Sequence, residues 1–273
     1  MAISTWYCCR QRAGPLVKEC RRTGVRYSPD DTREDHRIKS QLKRVQRCML
    51  NRKPDDRLEL FLALLGWTGT HYILTYDDDH LPQNFADVRK SLRAFLMRAA
   101  RFRESAGLSG ALDYLYAIEG LHGERRYHVH FVCRYDDLPP AAVRASDSGD
   151  WPGLWRNGIV FDKPVVMDDS GFRRLAEYLN KERPDGHIIP LGRHPWSCSR
   201  SLRAQLLPAQ RWTETTGGIA VPDGAIFVRR YDPSLGEESM GGVNWARYCL
   251  PDGSRACARV CARVYGRGRA SIL

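Results

Sequence analysis

The chain has 273 residues, 42% of them hydrophobic, with 43 Lys/Arg against 32 Asp/Glu, a formal charge of +11 and a pI near 9.4. Such a length suits one large domain or a domain with extensions, and the apolar share suffices for an ordinary core. No run approaches the roughly 18 apolar residues of a membrane span, and the first ten residues hold no apolar signal core, which predicts a cytoplasmic protein.

The charge is uneven. Residues 1–53 hold 14 Lys/Arg against 5 Asp/Glu, a net +9, and residues 246–273 hold 6 against 1, a net +5, which leaves −3 for the middle. Basic ends around a near-neutral centre suit a polyanion, most simply nucleic acid. The nine cysteines are odd in number and scattered, and they are expected as reduced thiols. Cys8, Cys9 and Cys20, with His36 beyond, lack the paired spacing of a zinc site.

Gly14-Pro15, Gly24 and Ser28-Pro29-Asp30-Asp31 punctuate the N-terminal stretch, whose first 30 residues read as an arm. Ile38, Leu42, Val45 and Met49 recur at helical spacing and predict a helix over 35–50. The leucine-rich run 58–65 predicts a short helix broken by Gly66 and Gly69. His71-Tyr72-Ile73-Leu74-Thr75-Tyr76 has strand composition and is closed by Asp77-Asp78-Asp79, which reads as a solvated turn. Asn84 is placed to cap a helix over 84–104, with Phe85, Val88, Leu92, Phe95, Leu96, Ala99 and Phe102 as the stripe that packs on a sheet.

Residues 112–119 predict a second strand, and Tyr127-His128-Val129-His130-Phe131-Val132 a third, joined by a polar turn over 120–126. The period of two puts His128 and His130 on one face. The hairpin brings Glu119 near His128. Two imidazoles and a carboxylate form a mixed nitrogen and oxygen set that suits a divalent ion such as Mg or Mn, and zinc too. His122, in the turn, is the rival third ligand.

After a polar loop, residues 159–161 and 165–167 predict short strands. Ser170 is placed to cap a helix over 170–182 with Phe172, Leu175, Ala176 and Leu179 as its buried stripe. At about 100° per residue, Tyr178 lies beside that stripe, Lys181 further round, and Arg174 between them. A phenol among cations is positioned to meet a phosphate. Beyond 213, loops alternate with strands near 225–230 and 243–250, and the end over 259–269 is basic. Interleaved helices and hairpins predict an α+β fold, an antiparallel sheet with helices packed mainly on one face.

Three segments carry a family resemblance. Ile73-Leu74-Thr75-Tyr76-Asp77 looks like the first motif of the HUH endonucleases, His128-Val129-His130 like their two-histidine metal motif, and Tyr178-Leu179-Asn180-Lys181 like their single-tyrosine motif, in the family's order. Trp155 to Gly158 and Trp196…Ser199-Arg200…Leu202 resemble segments of the rolling-circle replication initiators of bacterial plasmids, phages and integrated elements. The resemblance covers roughly 58–205 and divides the chain into a basic arm and helix (1–57), an endonuclease domain (58–212) with an RRM-like or ferredoxin-like sandwich, and a C-terminal extension (213–273).

The resemblance implies a metal-dependent single-strand DNA nickase and joining enzyme that starts replication at an origin hairpin or nick site. Tyr178 would attack the phosphate, Lys181 would offset charge, and His128, His130 and Glu119 would hold the metal. Arg174, Arg200, Trp196 and Ser199 are candidate DNA contacts. The N-terminal charge would hold adjacent duplex DNA. No phosphate-binding Gly-Lys-Ser/Thr loop occurs, so helicase and polymerase would come from the host or phage. The alternatives are a relaxase or single-tyrosine transposase of the same superfamily, or a non-catalytic RRM-like nucleic-acid-binding module.

Overall fold

The computed structural model describes residues 5–24, 29–50, 54–66, 69–120, 126–165, 167, 171–180, 196–231 and 243–250. His122, Ser170, Lys181 and the basic stretch 259–269, on which the sequence raises expectations, lie outside them.

In chain order the elements begin β1 (Trp6–Ala13), β2 (Leu16–Thr23), α1 (Arg33–Leu50), α2 (Pro54–Leu65), β3 (Gly69–Leu74), α3 (Phe85–Ser105), β4 (Tyr114–Glu119) and β5 (His128–Arg134). They continue α4 (Pro140–Val143), β6 (Val160–Pro164), α5 (Arg173–Leu179), β7 (Trp196–Cys198), α6 (Arg200–Gln205), β8 (Gln210–Glu214), β9 (Ile226–Tyr231) and β10 (Val243–Cys249). All strand pairings are antiparallel, which confirms the α+β class.

Two compact units result. Unit 1 comprises Met1–Leu60, Asp168–Gly171 and Leu206–Leu273; unit 2 comprises Phe61–Met167 and Phe172–Gln205. Within the stretch expected to be an arm, Trp6–Ala13 and Leu16–Thr23 are therefore strands of a sheet. Gly14-Pro15 is the two-residue loop of a β1–β2 hairpin in which Ala13 faces Leu16, and Gly14 supplies the positive φ of +53° that a tight hairpin loop asks for. β8 and β10 flank this hairpin and give a five-stranded sheet in the order β8-β1-β2-β10-β9. The two basic ends thus belong to one unit, with 24 Lys/Arg against 16 Asp/Glu, a net +8 of the chain's +11.

Unit 2 has its own five-stranded sheet, ordered β6-β3-β5-β4-β7. Tyr72 faces Phe131 from β3 and Tyr116 faces it from β4, so alternate residues of the three central strands share one face. Tyr72, Leu74, Ile118, Val129 and Phe131 from that face form one buried cluster with Val88, Leu92, Phe95 and Ala99 of α3 and with Trp155. Phe95 meets the ring of Phe131 edge-on at 5.1 Å and that of Trp155 at 5.9 Å. The Asn84 side chain accepts the amides of Ala86 and Asp87, which fixes the start of α3 as expected.

The opposite face is covered too. Its His130 and His71 lie against Tyr178 of α5, and its Trp196 lies against Phe61 of α2 at 6.0 Å. Helices therefore stand on both faces, because the apolar positions Leu115, Ala117 and Val132 on the histidine side also need burial. Val165 and Met167 are not in a strand; Val165 continues from β6, its amide bonded to the Gly69 carbonyl at 2.7 Å. The acidic run 77–79 is exposed, as a solvated turn should be.

Candidate metal and nucleophile site

The site begins with strand register. Glu119 stands directly opposite His128, and Ala117 opposite His130, which leaves the two imidazoles and the carboxylate on one face with no larger side chain between them. Glu119 Oε2 lies 3.1 Å from His128 Nε2 and 2.7 Å from His130 Nε2, and one ligand atom from each residue falls within 4.8 Å of the others. Neighbouring ligands of a small octahedral cation at about 2.1 Å are about 3 Å apart, so the spacing fits. His128 is half-buried, whereas His130 and Glu119 are buried, so among the three His128 is the one that meets solvent.

The far nitrogens matter as much. His128 Nδ1 lies 3.2 Å from the Arg126 carbonyl, to which only an N–H can bond, so its Nε2 keeps a lone pair for an ion. His130 Nδ1 lies 3.0 Å from His71 Nε2. Burial, then the neighbouring His130 and Lys163, push the His71 pKa down to about 3, so at neutral pH His71 is uncharged and can accept the His130 Nδ1–H. Both imidazoles are thereby turned with Nε2 toward Glu119. Among the described residues these three form a cluster able to hold a metal ion; the Cys8, Cys9, Cys20 and His36 set does not.

His71 escaped the sequence reading. It lies on β3, the strand that leads into the Leu74-Thr75-Tyr76 segment, but only pairing with β5 brings it to His130.

The remaining predicted residues divide. Tyr178, on α5, is 41% exposed; its ring centroid lies 5.3 Å from that of His130 and 6.3 Å from that of His71. A phenol open to solvent thus borders the metal-ligand cluster. Arg174, one turn earlier on α5, is exposed on the same side. Arg200 is exposed at the start of α6, and Trp196 is half-buried beside Phe61. Ser199 is buried, and its hydroxyl is used inside the chain: it accepts the Leu202 amide at 3.1 Å and the Tyr114 amide at 3.3 Å, a helix cap rather than a surface group.

The Trp155–Gly158 segment supports the first motif from beneath. Trp155 Nε1 donates to the Thr75 carbonyl at 2.7 Å, and the Asp77 amide bonds the Asn157 carbonyl at 2.9 Å. Gly158 has a φ of +154°, and a Cβ there would lie 2.7 Å from both the Thr75 carbonyl oxygen and the Asp77 amide. Only glycine allows so close a backbone approach.

No protein-family model, curated protein or solved structure matches this chain. Among the described residues no helix is long and apolar enough to cross a membrane.

Proposed function

We propose that unit 2 is a single-strand DNA nickase and joining enzyme of the HUH type, and that the chain initiates rolling-circle replication of a bacterial plasmid, phage or integrated element. The observation that carries this reading is the solvent-open Tyr178 ring, 5.3 Å from the ring of His130, beside Glu119 and His128. The three motifs of the sequence support it in order and element type.

Glu119, His128 and His130 would hold a divalent ion, Mg or Mn, which when bound polarises the scissile phosphate and stabilises charge on its oxygens. Tyr178 Oη forms a bond to phosphorus as the bond from phosphorus to the 3′ oxygen breaks. The phenolic proton is balanced by protonation of the departing 3′ oxygen. The products are a 5′-phosphotyrosine and a free 3′-hydroxyl for a polymerase to extend. The bond count is unchanged, so the reverse step joins ends without ATP. Arg174 contacts a neighbouring phosphate from the same helix, and Lys181 offsets the phenolate charge. Arg200 and Trp196 steer the strand. His71 and the Arg126 carbonyl keep the two imidazoles in the required tautomer.

The test uses short single-stranded oligonucleotides with Mn or Mg and a denaturing gel, for wild type and Tyr178→Phe. A protein–DNA adduct that needs metal and is lost in the Phe variant supports the reading. Cleavage that survives in the variant assigns the attack to water or another group, and tight metal-independent binding with no adduct leaves a binding module.

A further inference from the structure

We infer that the sheet of unit 1 carries a second nucleic-acid surface, one that takes a single strand by stacking bases on aromatic rings and pairing phosphates with arginine. The inference goes beyond the nicking reading and does not rest on it.

Residues directly opposite in an antiparallel pair share a face. Across β8, β1 and β2 the register puts Thr213, Tyr7 and Arg22 in one row and Arg211, Cys9 and Cys20 in the next, and Trp245 of β10 extends the second. Tyr7 is 39% exposed; Arg22, Arg211 and Thr213 are exposed, and Trp245 is half-buried. The Arg22 guanidinium carbon stands 5.8 Å from the Tyr7 ring centroid. The ring also lies close against Gly24, where a Cβ would come within 2.9 Å of it.

Charge separates this area from the rest of the sheet. None of these seven positions is acidic. Glu19 and Glu214 belong to the other face, where Arg10 and Arg21 engage them. Further along the same face Lys18 is paired with Asp56 at 3.1 Å and Glu59 at 2.7 Å, which marks where the cationic area ends. The unit as a whole is a net +8. An exposed Tyr7, a half-buried Trp245 and arginines with no acidic partner among the described residues match an unstacked strand, whose bases present both their faces; a duplex keeps its bases stacked on one another.

The test uses the full chain carrying Tyr178→Phe, in EDTA, so that metal-dependent chemistry is silent. Anisotropy is read on fluorescent oligo(dT) and on a duplex of equal length. Tyr7→Leu is expected to weaken oligo(dT) binding by roughly 5- to 150-fold, the range for losing one stacked base. The exposed pair Arg22→Gln/Arg211→Gln is expected to flatten the slope of log affinity against log salt by about 1.4, at about 0.7 per single-strand phosphate. Photocrosslinking of bromodeoxyuridine-substituted oligo(dT), mapped by mass spectrometry, is expected to mark Tyr7 or Trp245. Unchanged affinity and slope in all variants, crosslinks confined to unit 2, or a duplex bound more tightly and weakened equally by the substitutions, would each overturn the inference. Loss of the covalent adduct in the nicking assay would not touch it.

Discussion

Replacing His71 with Leu removes the bond that ties the metal-ligand cluster to β3. When an ion takes the lone pair on His130 Nε2, the ring proton must sit on Nδ1, 3.0 Å from His71 Nε2. Without an ion, the His130 proton can instead sit on Nε2 and meet Glu119 at 2.7 Å. In the Leu variant the ion-bound form alone is left with a buried N–H and no partner, at a cost of about 1–3 kcal/mol. That energy corresponds to roughly 5- to 150-fold in affinity, in line with the 10- to 100-fold typical of such outer partners. Calorimetric titration with Mn should show this loss, with His71→Gln, whose amide oxygen can accept the same proton, recovering much of it. A Leu variant that folds with unchanged melting temperature and binds Mn like wild type would refute the tautomer argument.

Three further outcomes are expected. Glu119→Ala should abolish measurable Mn binding, since one of the three ligands is lost; undiminished titration heat would remove Glu119 from the ligand set. Gly158→Ala should lower stability by several kcal/mol, because its Cβ would strike the Thr75 and Asp77 backbone at a φ unfavourable to alanine; a melting temperature within a degree of wild type would contradict the close approach. For Asp113, burial pushes the carboxyl pKa up, but hydrogen bonds from Ser201, Gln205 and Arg134 outweigh it and hold it below the usual range. A depressed folded pKa gives stability that is present above the unfolded value of about 3.9 and lost as pH falls through the folded one. The advantage of wild type over Asp113→Asn should therefore be full at pH 6 and shrink below pH 4, and a constant difference would deny the shift.

Local pattern was enough for α1, α2, α3 and the β4–β5 hairpin, whereas the short α4 and α6 carry too few residues to show a period. The α3 stripe repeats at helical spacing over 21 residues, so its buried face was legible before any partner was known. Glu119, His128 and His130 come from adjacent strands joined by a short turn, so alternation and register together already put them on one face. The β1 and β2 strands were hidden because Trp6–Ala13 and Leu16–Thr23 are rich in arginine and cysteine, poor in β-branched residues and, besides each other, pair with strands some 200 or more residues away. Nothing local announces such a partner.

The amino-acid order by itself determined the α+β class, the extent of α3 and the shared face of Glu119, His128 and His130, since these follow from short periods and one turn. Tertiary structure alone decided three other matters. It set His71 behind His130, by pairing β3 with β5. It turned Ser199 inward as a helix cap. It joined strands from near both ends of the chain, β1, β2, β8 and β10, in one sheet, with Tyr7, Arg22 and Arg211 on a single face. Each of these rests on contacts between residues distant in sequence, and such contacts exist only once the chain has folded and its strands have found their neighbours.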